Sequence, residues 1–149
     1  MKISADPESE LVTYSLGSCL GIAIYDPVVR VGGMVHCMLP LGNVDNGKAK
    51  TKPFMFVDIG LVMFLRQLFE LGVTKSSAVV KVCGGATVLD NMNLFRIGER
   101  NYIIFRKLMW KNGMMIAAED VGGKVTRTMR MEIATGRVFV RTASRTSEL

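Results

Sequence analysis

A single histidine, His36, follows Cys19 by seventeen residues, and Cys19 itself ends the run Leu16-Gly17-Ser18-Cys19. A thiol and an imidazole are the minimum parts of a cysteine nucleophile and its base. Sulfur attacks a carbonyl as the thiolate, and a neighbouring imidazole lowers a cysteine pKa from about 8.5 into a range of roughly 3.5 to 7.5. Gly17 permits a tight turn, from which amide N–H groups near Ser18 and Cys19 can point at a developing oxyanion. Losing one such donor typically costs about 100- to 1000-fold in rate. Plainer uses fit the same residues: a histidine between Met34 and Met38 also reads as a hydrogen-bonded core residue, and a cysteine among apolar neighbours as inert packing. Spacing alone leaves both open.

Zinc employs the same residue types, but Cys19, Cys37 and Cys83 form no C-x-x-C pair. His36 and Cys37 are adjacent, and on a strand they point to opposite faces, away from any shared metal. Gly84-Gly85 belongs to neither G-x-G-x-x-G nor G-K-[ST], so it makes no phosphate cradle. The expectation is no metal and no cofactor.

The elements that must position Cys19 and His36 alternate between strand and helix. Leu11 to Ser15 and Leu20 to Tyr25 read as strands on either side of the Gly-Ser-Cys turn, with Asp26-Pro27 closing the second, and Val31 to Leu39 as a third strand. From Gly42 to Pro53 the polar, glycine-containing composition is that of a mobile surface loop, close in sequence to His36 and able to cover a site. Pro53 suits the first turn of a helix reaching Leu71, ended by Gly72. Its apolar residues cover more than one stripe, so it is buried on most sides or its excess face meets a partner. Ala78 to Cys83 is a strand leading into Gly84-Gly85, and Asn101 to Lys111 a second helix stopped by Asn112-Gly113. Ile116 to Glu119 and Val125 to Ile133 are strands, the latter turned by Thr135-Gly136 into a hairpin with Val138 to Val140. On that strand Val125, Met129, Met131 and Ile133 share one face, and Arg127 falls on it too. A guanidinium there needs a carboxylate, carbonyls or a ligand, unless it snorkels from the strand end.

A chain of 149 residues with 49% hydrophobic content has material for one domain with a real core. The pattern predicts an α+β fold, a single-domain sandwich of mixed and antiparallel sheet flanked by helices. Three cysteines without paired spacing argue for a reducing compartment and against a disulfide framework, which places the protein in the cytoplasm. Residues 1–10 have no apolar core of a signal peptide, and the stretch Phe54 to Leu65 is interrupted by Asp58, so no membrane insertion is expected. The net charge of +6 is confined to the C-terminal third: residues 96–149 carry eleven basic and five acidic side chains, residues 1–95 eight of each. Such a surface suits an acidic protein partner, an anionic membrane face or nucleic acid, or serves solubility, and no nucleic-acid motif accompanies it.

Several runs in order, Thr13-Tyr14-Ser15-Leu16-Gly17-Ser18-Cys19, Tyr25-Asp26-Pro27 and Gly33-Met34-Val35-His36-Cys37-Met38-Leu39-Pro40, resemble the CheD family of chemoreceptor glutamine deamidases. Gly84-Gly85-Ala86, Ile97-Gly98-Glu99-Arg100-Asn101 and Glu119-Asp120-Val121-Gly122-Gly123 with Arg127 continue the likeness, which spans residues 9–141 within one domain of 1–149. Tyr14, Ser15 and Thr126 depart from the usual pattern. The resemblance implies an α+β sandwich related to bacterial toxin deamidases. It also implies a hydrolase that converts glutamine side chains of methyl-accepting chemotaxis receptors to glutamate, releasing ammonia. Its nucleophile falls on Cys19, its histidine on His36 and the third member of its triad on Thr13. Some members bind the CheC phosphatase, which offers the alternative of a non-catalytic adaptor.

Overall fold

Every residue from Leu20 to Asp26 is buried, because this strand is the middle of a sheet covered on both faces. The structure is a computed structural model that describes residues 1–87 and 96–149. In chain order its elements are β1 (Lys2–Ser4), β2 (Glu10–Leu16), β3 (Leu20–Asp26), β4 (Val31–Cys37), α1 (Asn46–Thr51), α2 (Val57–Glu70), β5 (Val79–Gly84), α3 (Ile97–Lys111), β6 (Ile116–Val121), β7 (Arg127–Glu132), β8 (Val138–Arg141) and β9 (Thr146–Glu148). One sheet has the order β1-β4-β3-β5-β6, the other β2-β7-β8-β9. The first is mixed, since β5 and β6 run parallel, and the pairs of the second are antiparallel.

The alternation of side chains along β3 and β4 divides the interior into two cores. Leu20, Ile22 and Ile24 on β3, with Val35 and Cys37 on β4, face Leu61, Phe64 and Leu68 of α2 and Phe105 and Met109 of α3. Ala23, Tyr25 and Met34 face the other way, onto Leu11, Leu16, Met129, Met131 and Val140 of the second sheet. The result is an α+β sandwich of two sheets with helices against the outer face of the larger one. Each large apolar side chain buried in these layers contributes roughly 1.5–3 kcal/mol.

Three expectations from the sequence change. Segment 42–53 is not a plain loop: Gly42–Val44 forms a 3-10 turn, and α1 follows, with Asp45 capping it by accepting the Lys48 N–H at 2.9 Å. The carboxylate of Asp58, in the first turn of α2, accepts the Gly42 N–H at 3.0 and 3.1 Å and ties this segment down. The expected helix from Pro53 to Leu71 is interrupted, because Pro53–Met55 is a 3-10 turn and Phe56 is extended, with α2 beginning at Val57. Phe56 is wholly buried and bridges Leu39, while the Met55 carbonyl accepts the N–H groups of Met38 and Leu39, so the end of β4 is stitched to the start of α2. Along α2 the excess apolar residues Val62 and Met63 remain exposed. The third change is at the chain's ends, where β1 and β9, each three residues long, had no apolar pattern to reveal them.

Candidate active site

Leu11 and Thr13 alternate inward along β2, and by strict alternation Ser15 would follow them, leaving Leu16 on the outside. A bulge corrects the phase: Thr13 pairs with Met129 and Leu16 with Arg127, so Tyr14 and Ser15 together oppose one residue of β7. Ser15 adopts the left-handed conformation at φ 58°, and Leu16 returns to the core with no exposure. Gly17, expected to permit a tight turn, is not the left-handed residue; that is Ser15, whose carbonyl accepts the Gly17 N–H at 3.1 Å. Chain 17–19 then crosses from the second sheet to the first, carrying Cys19 to the start of β3.

His36, near the end of β4, faces the second sheet, and its Nδ1 lies 2.9 Å from Thr13 Oγ1. Gly21 is its partner across the β3–β4 ladder. Cys19 immediately precedes Leu20, which pairs with Cys37 at the end of the ladder, and it packs on the core of Ala23 and Met34, on the side of β3 and β4 that faces the second sheet. His36 Nε2 is buried and has no hydrogen-bond partner among the described residues. A groove of about 380 Å³ between β1 and β2 reaches Thr13 and His36 beside Tyr14 and Met34.

The turn bearing Cys19 is held by its carbonyls. Gly17 O accepts from the Ala86 N–H, Cys19 O from the Gly85 N–H at 2.9 Å, and Ser18 O from the Asn101 side chain at 2.9 Å. In a trans peptide the N–H points opposite to the preceding C=O. With the carbonyls of Gly17 and Ser18 held against β5 and α3, the N–H groups of Ser18 and Cys19 turn to the other side. Close approach demands glycine here: a Cβ on Gly84, at φ 112°, would stand 2.1 Å from Cys19 O, and one on Gly98 would stand 2.4 Å from Gly85 O. The Gly84-Gly85 and Ile97-to-Asn101 motifs thus form the backing of the turn that bears Cys19.

Electrostatics separates the three cysteines. Burial pushes Cys37 and Cys83 up to about 12, which leaves them inert thiols in the two cores. Cys19 is partly exposed, and burial raises its pKa also, against smaller opposing effects of the Ser18 hydroxyl and its own amide. Burial lowers the pKa of His36. Desolvation thus disfavours the charged form of both groups, which works against a thiolate–imidazolium pair.

Arg127 does not snorkel. Only 6% exposed, it donates to the Asp120 carboxylate at 2.7 Å and to the carbonyls of Gly122 and Val125 at 2.9 and 3.1 Å. It is thereby a strut for the β6–β7 connection, where the Gly122 N–H in turn donates to Gly84 O. Asp26, in the Tyr25-Asp26-Pro27 motif, has a similar structural duty. Burial alone would raise its pKa, but hydrogen bonds from Ser77, Thr74, Val28 and Val29 outweigh this and hold it low. Among the described residues no group of three or more His, Cys, Asp or Glu is placed to hold a metal ion.

Sequence reasoning passed over the contacts of Asn101 and Asp120. A signal existed for the first: Asn101 shares the buried face of α3 with Gly98, Phe105 and Met109, and an amide on such a face needs partners.

The family model described as CheD chemotactic sensory transduction matches residues 38–142. A probable chemoreceptor glutamine deamidase CheD of Syntrophus aciditrophicus (strain SB) is 49% identical over 142 residues, 95% of this chain and 89% of that protein. A protein with the same description from Solibacter usitatus (strain Ellin6076) is 39% identical over 148 residues, 99% of this chain and 88% of its own. One from Pyrococcus horikoshii is 38% identical over 131 residues, 87% of this chain and 80% of its own. With a family match over more than half the chain and relatives this similar across nearly all of it, the chain belongs to the CheD family.

Proposed function

We propose that this chain is a cysteine-dependent protein-glutamine deamidase. In this reading it converts glutamine side chains of methyl-accepting chemotaxis receptors to glutamate and releases ammonia, acting as one domain over its whole length in the cytoplasm. The observation that carries the reading is the contact of Thr13 with His36 beside a Cys19 turn whose carbonyls are held away. The relatives described as chemoreceptor glutamine deamidases supply the substrate class. The sandwich architecture suits a likeness to bacterial toxin deamidases.

In the first half-reaction His36 Nε2 takes the Cys19 thiol proton as sulfur attacks the carboxamide carbon, forming the C–S bond. The carbonyl oxygen becomes an oxyanion, stabilised by the N–H groups of Ser18 and Cys19. The C–N bond then breaks, and His36 returns its proton to the departing nitrogen, giving ammonia and a thioester. In the second half-reaction His36 takes a proton from water, hydroxide adds to the thioester carbon, the C–S bond breaks and sulfur recovers the proton. Thr13 Oγ1 accepts from His36 Nδ1–H throughout, which keeps the lone pair on Nε2. A partly buried His36 whose pKa is lowered by desolvation is suited to act as base, since less of it is protonated near neutral pH than of a free imidazole.

The exposed cations Arg100, Arg106, Lys107 and Lys111 of α3 support an acidic protein partner. A CheC-type phosphatase remains a second partner in this reading, and an adaptor without catalysis would have no use for the Thr13–His36 contact. Ammonia release from a receptor cytoplasmic fragment tests the proposal. The wild-type protein releases ammonia and Cys19→Ala releases none; receptor binding without ammonia from either would favour the adaptor.

A further inference from the structure

We propose that Asn101 is a positioning residue that locks the nucleophile turn to the histidine strand and orients the Cys19 amide; the proposal rests on the assignment of Cys19 and His36 made above. The β3–β4 ladder ends at the pair Leu20 and Cys37. One residue further out, Cys19 and Met38 would form the next rung, but the chain leaves the ladder there. Asn101, from α3, takes the place of that rung. Its Nδ2 donates to Ser18 O at 2.9 Å and to Met38 O at 3.0 Å, using both protons of one amide. One acceptor lies immediately before Cys19, the other two residues after His36, so a single side chain fixes the separation of the two reacting groups.

Three features make this more than core packing. Asn101 is wholly buried, yet its Oδ1 has no hydrogen-bond partner among the described residues, so the amide carries a desolvation penalty that an apolar residue would avoid. Two carbonyl acceptors require two donors on one planar group, which leucine lacks and an ionised aspartate would repel. Holding Ser18 O also fixes the Ser18–Cys19 peptide plane, and the Cys19 N–H, opposite to that carbonyl, is a donor of the proposed oxyanion hole. Loss of the link therefore removes transition-state stabilisation and loosens the packing around Cys19.

The test compares full-length wild type, Asn101→Leu and Asn101→Asp by deamidation of a receptor fragment, by the rate of Cys19 alkylation with iodoacetamide, and by thermal melting. In Asn101→Leu, kcat per alkylatable Cys19 falls about 100-fold or more, while KM changes little. Alkylation at neutral pH becomes faster, because a released turn exposes the thiol. Asn101→Asp keeps one link while its carboxyl is protonated, and its kcat relative to wild type declines as pH rises. A variant that folds with kcat per alkylatable Cys19 within threefold of wild type and an unchanged alkylation rate overturns the proposal. Should wild type itself leave receptor glutamines unchanged, the deamidase reading fails, and the alkylation rates still decide whether Asn101 holds the turn.

Discussion

Thr13→Val is the substitution whose effect follows most directly from the site. The valine keeps the branched shape at Cβ but removes the oxygen that lies 2.9 Å from His36 Nδ1. Nδ1–H is then left without its partner in a partly buried place, a penalty of about 1–3 kcal/mol. The transition state bears it most, because there the ring becomes an imidazolium and depends on the acceptor more than in the resting enzyme. At 1.4 kcal/mol per factor of ten, kcat/KM should fall roughly 5- to 150-fold. Thr13→Ser restores the hydroxyl and gives up only a methyl group, so it should recover most of the activity. The assay is time-resolved mass spectrometry of receptor peptides under kcat/KM conditions. A Val variant within twofold of wild type, or Ser and Val variants equally impaired, would refute the role given to the hydroxyl.

Four further expectations concern the surroundings and the titration of the site. Arg127→Ala strands Asp120 beside a connection that loses its strut; breaking such a pair costs about 3 kcal/mol, a Tm drop of roughly 6–12 °C by scanning calorimetry. Gly84→Ala places a methyl against Cys19 O in a left-handed backbone, so deamidation should fall even in the fraction that calorimetry shows to be folded. Since burial lowers the pKa of His36, the acid limb of kcat/KM should have its midpoint below the ordinary value of 6.5, activity being present above it and lost as His36 gains a proton. Since burial raises the pKa of Cys19, its alkylation in the free enzyme should keep climbing through the alkaline range; a plateau near neutrality would show a thiolate–imidazolium pair instead.

The strands of the two cores were legible because each buries a regular face: Leu20, Ile22 and Ile24, or Met129 and Met131, repeat at the strand period. The turn before β3 was legible from Gly17 and Ser18, but the left-handed residue is Ser15, since a bulge is a matter of register between β2 and β7 and leaves no mark in local composition. Arg127 announced its need for a partner, but Asp120 is on the preceding strand, and pairing across a turn is not encoded by spacing. Thr13 entered by family resemblance alone. Its partner His36 is 23 residues away and on the opposite sheet, so an ordinary strand threonine would look the same in sequence. The break at Phe56 was hidden for a related reason: a run of apolar residues suits a helix until the end of β4 claims one of them as a bridge.

The central claim is that Cys19 attacks receptor glutamines and water releases the product. It is tested most directly by incubating the protein with a glutamine-bearing receptor cytoplasmic fragment in ¹⁸O-labelled water and weighing the tryptic peptides. Wild type should add about 3 Da at defined glutamines, as one ¹⁸O-hydroxyl replaces each amide group, and Cys19→Ala should add nothing. A full mass gain with Cys19→Ala, or glutamines left unchanged by wild type, would contradict the account.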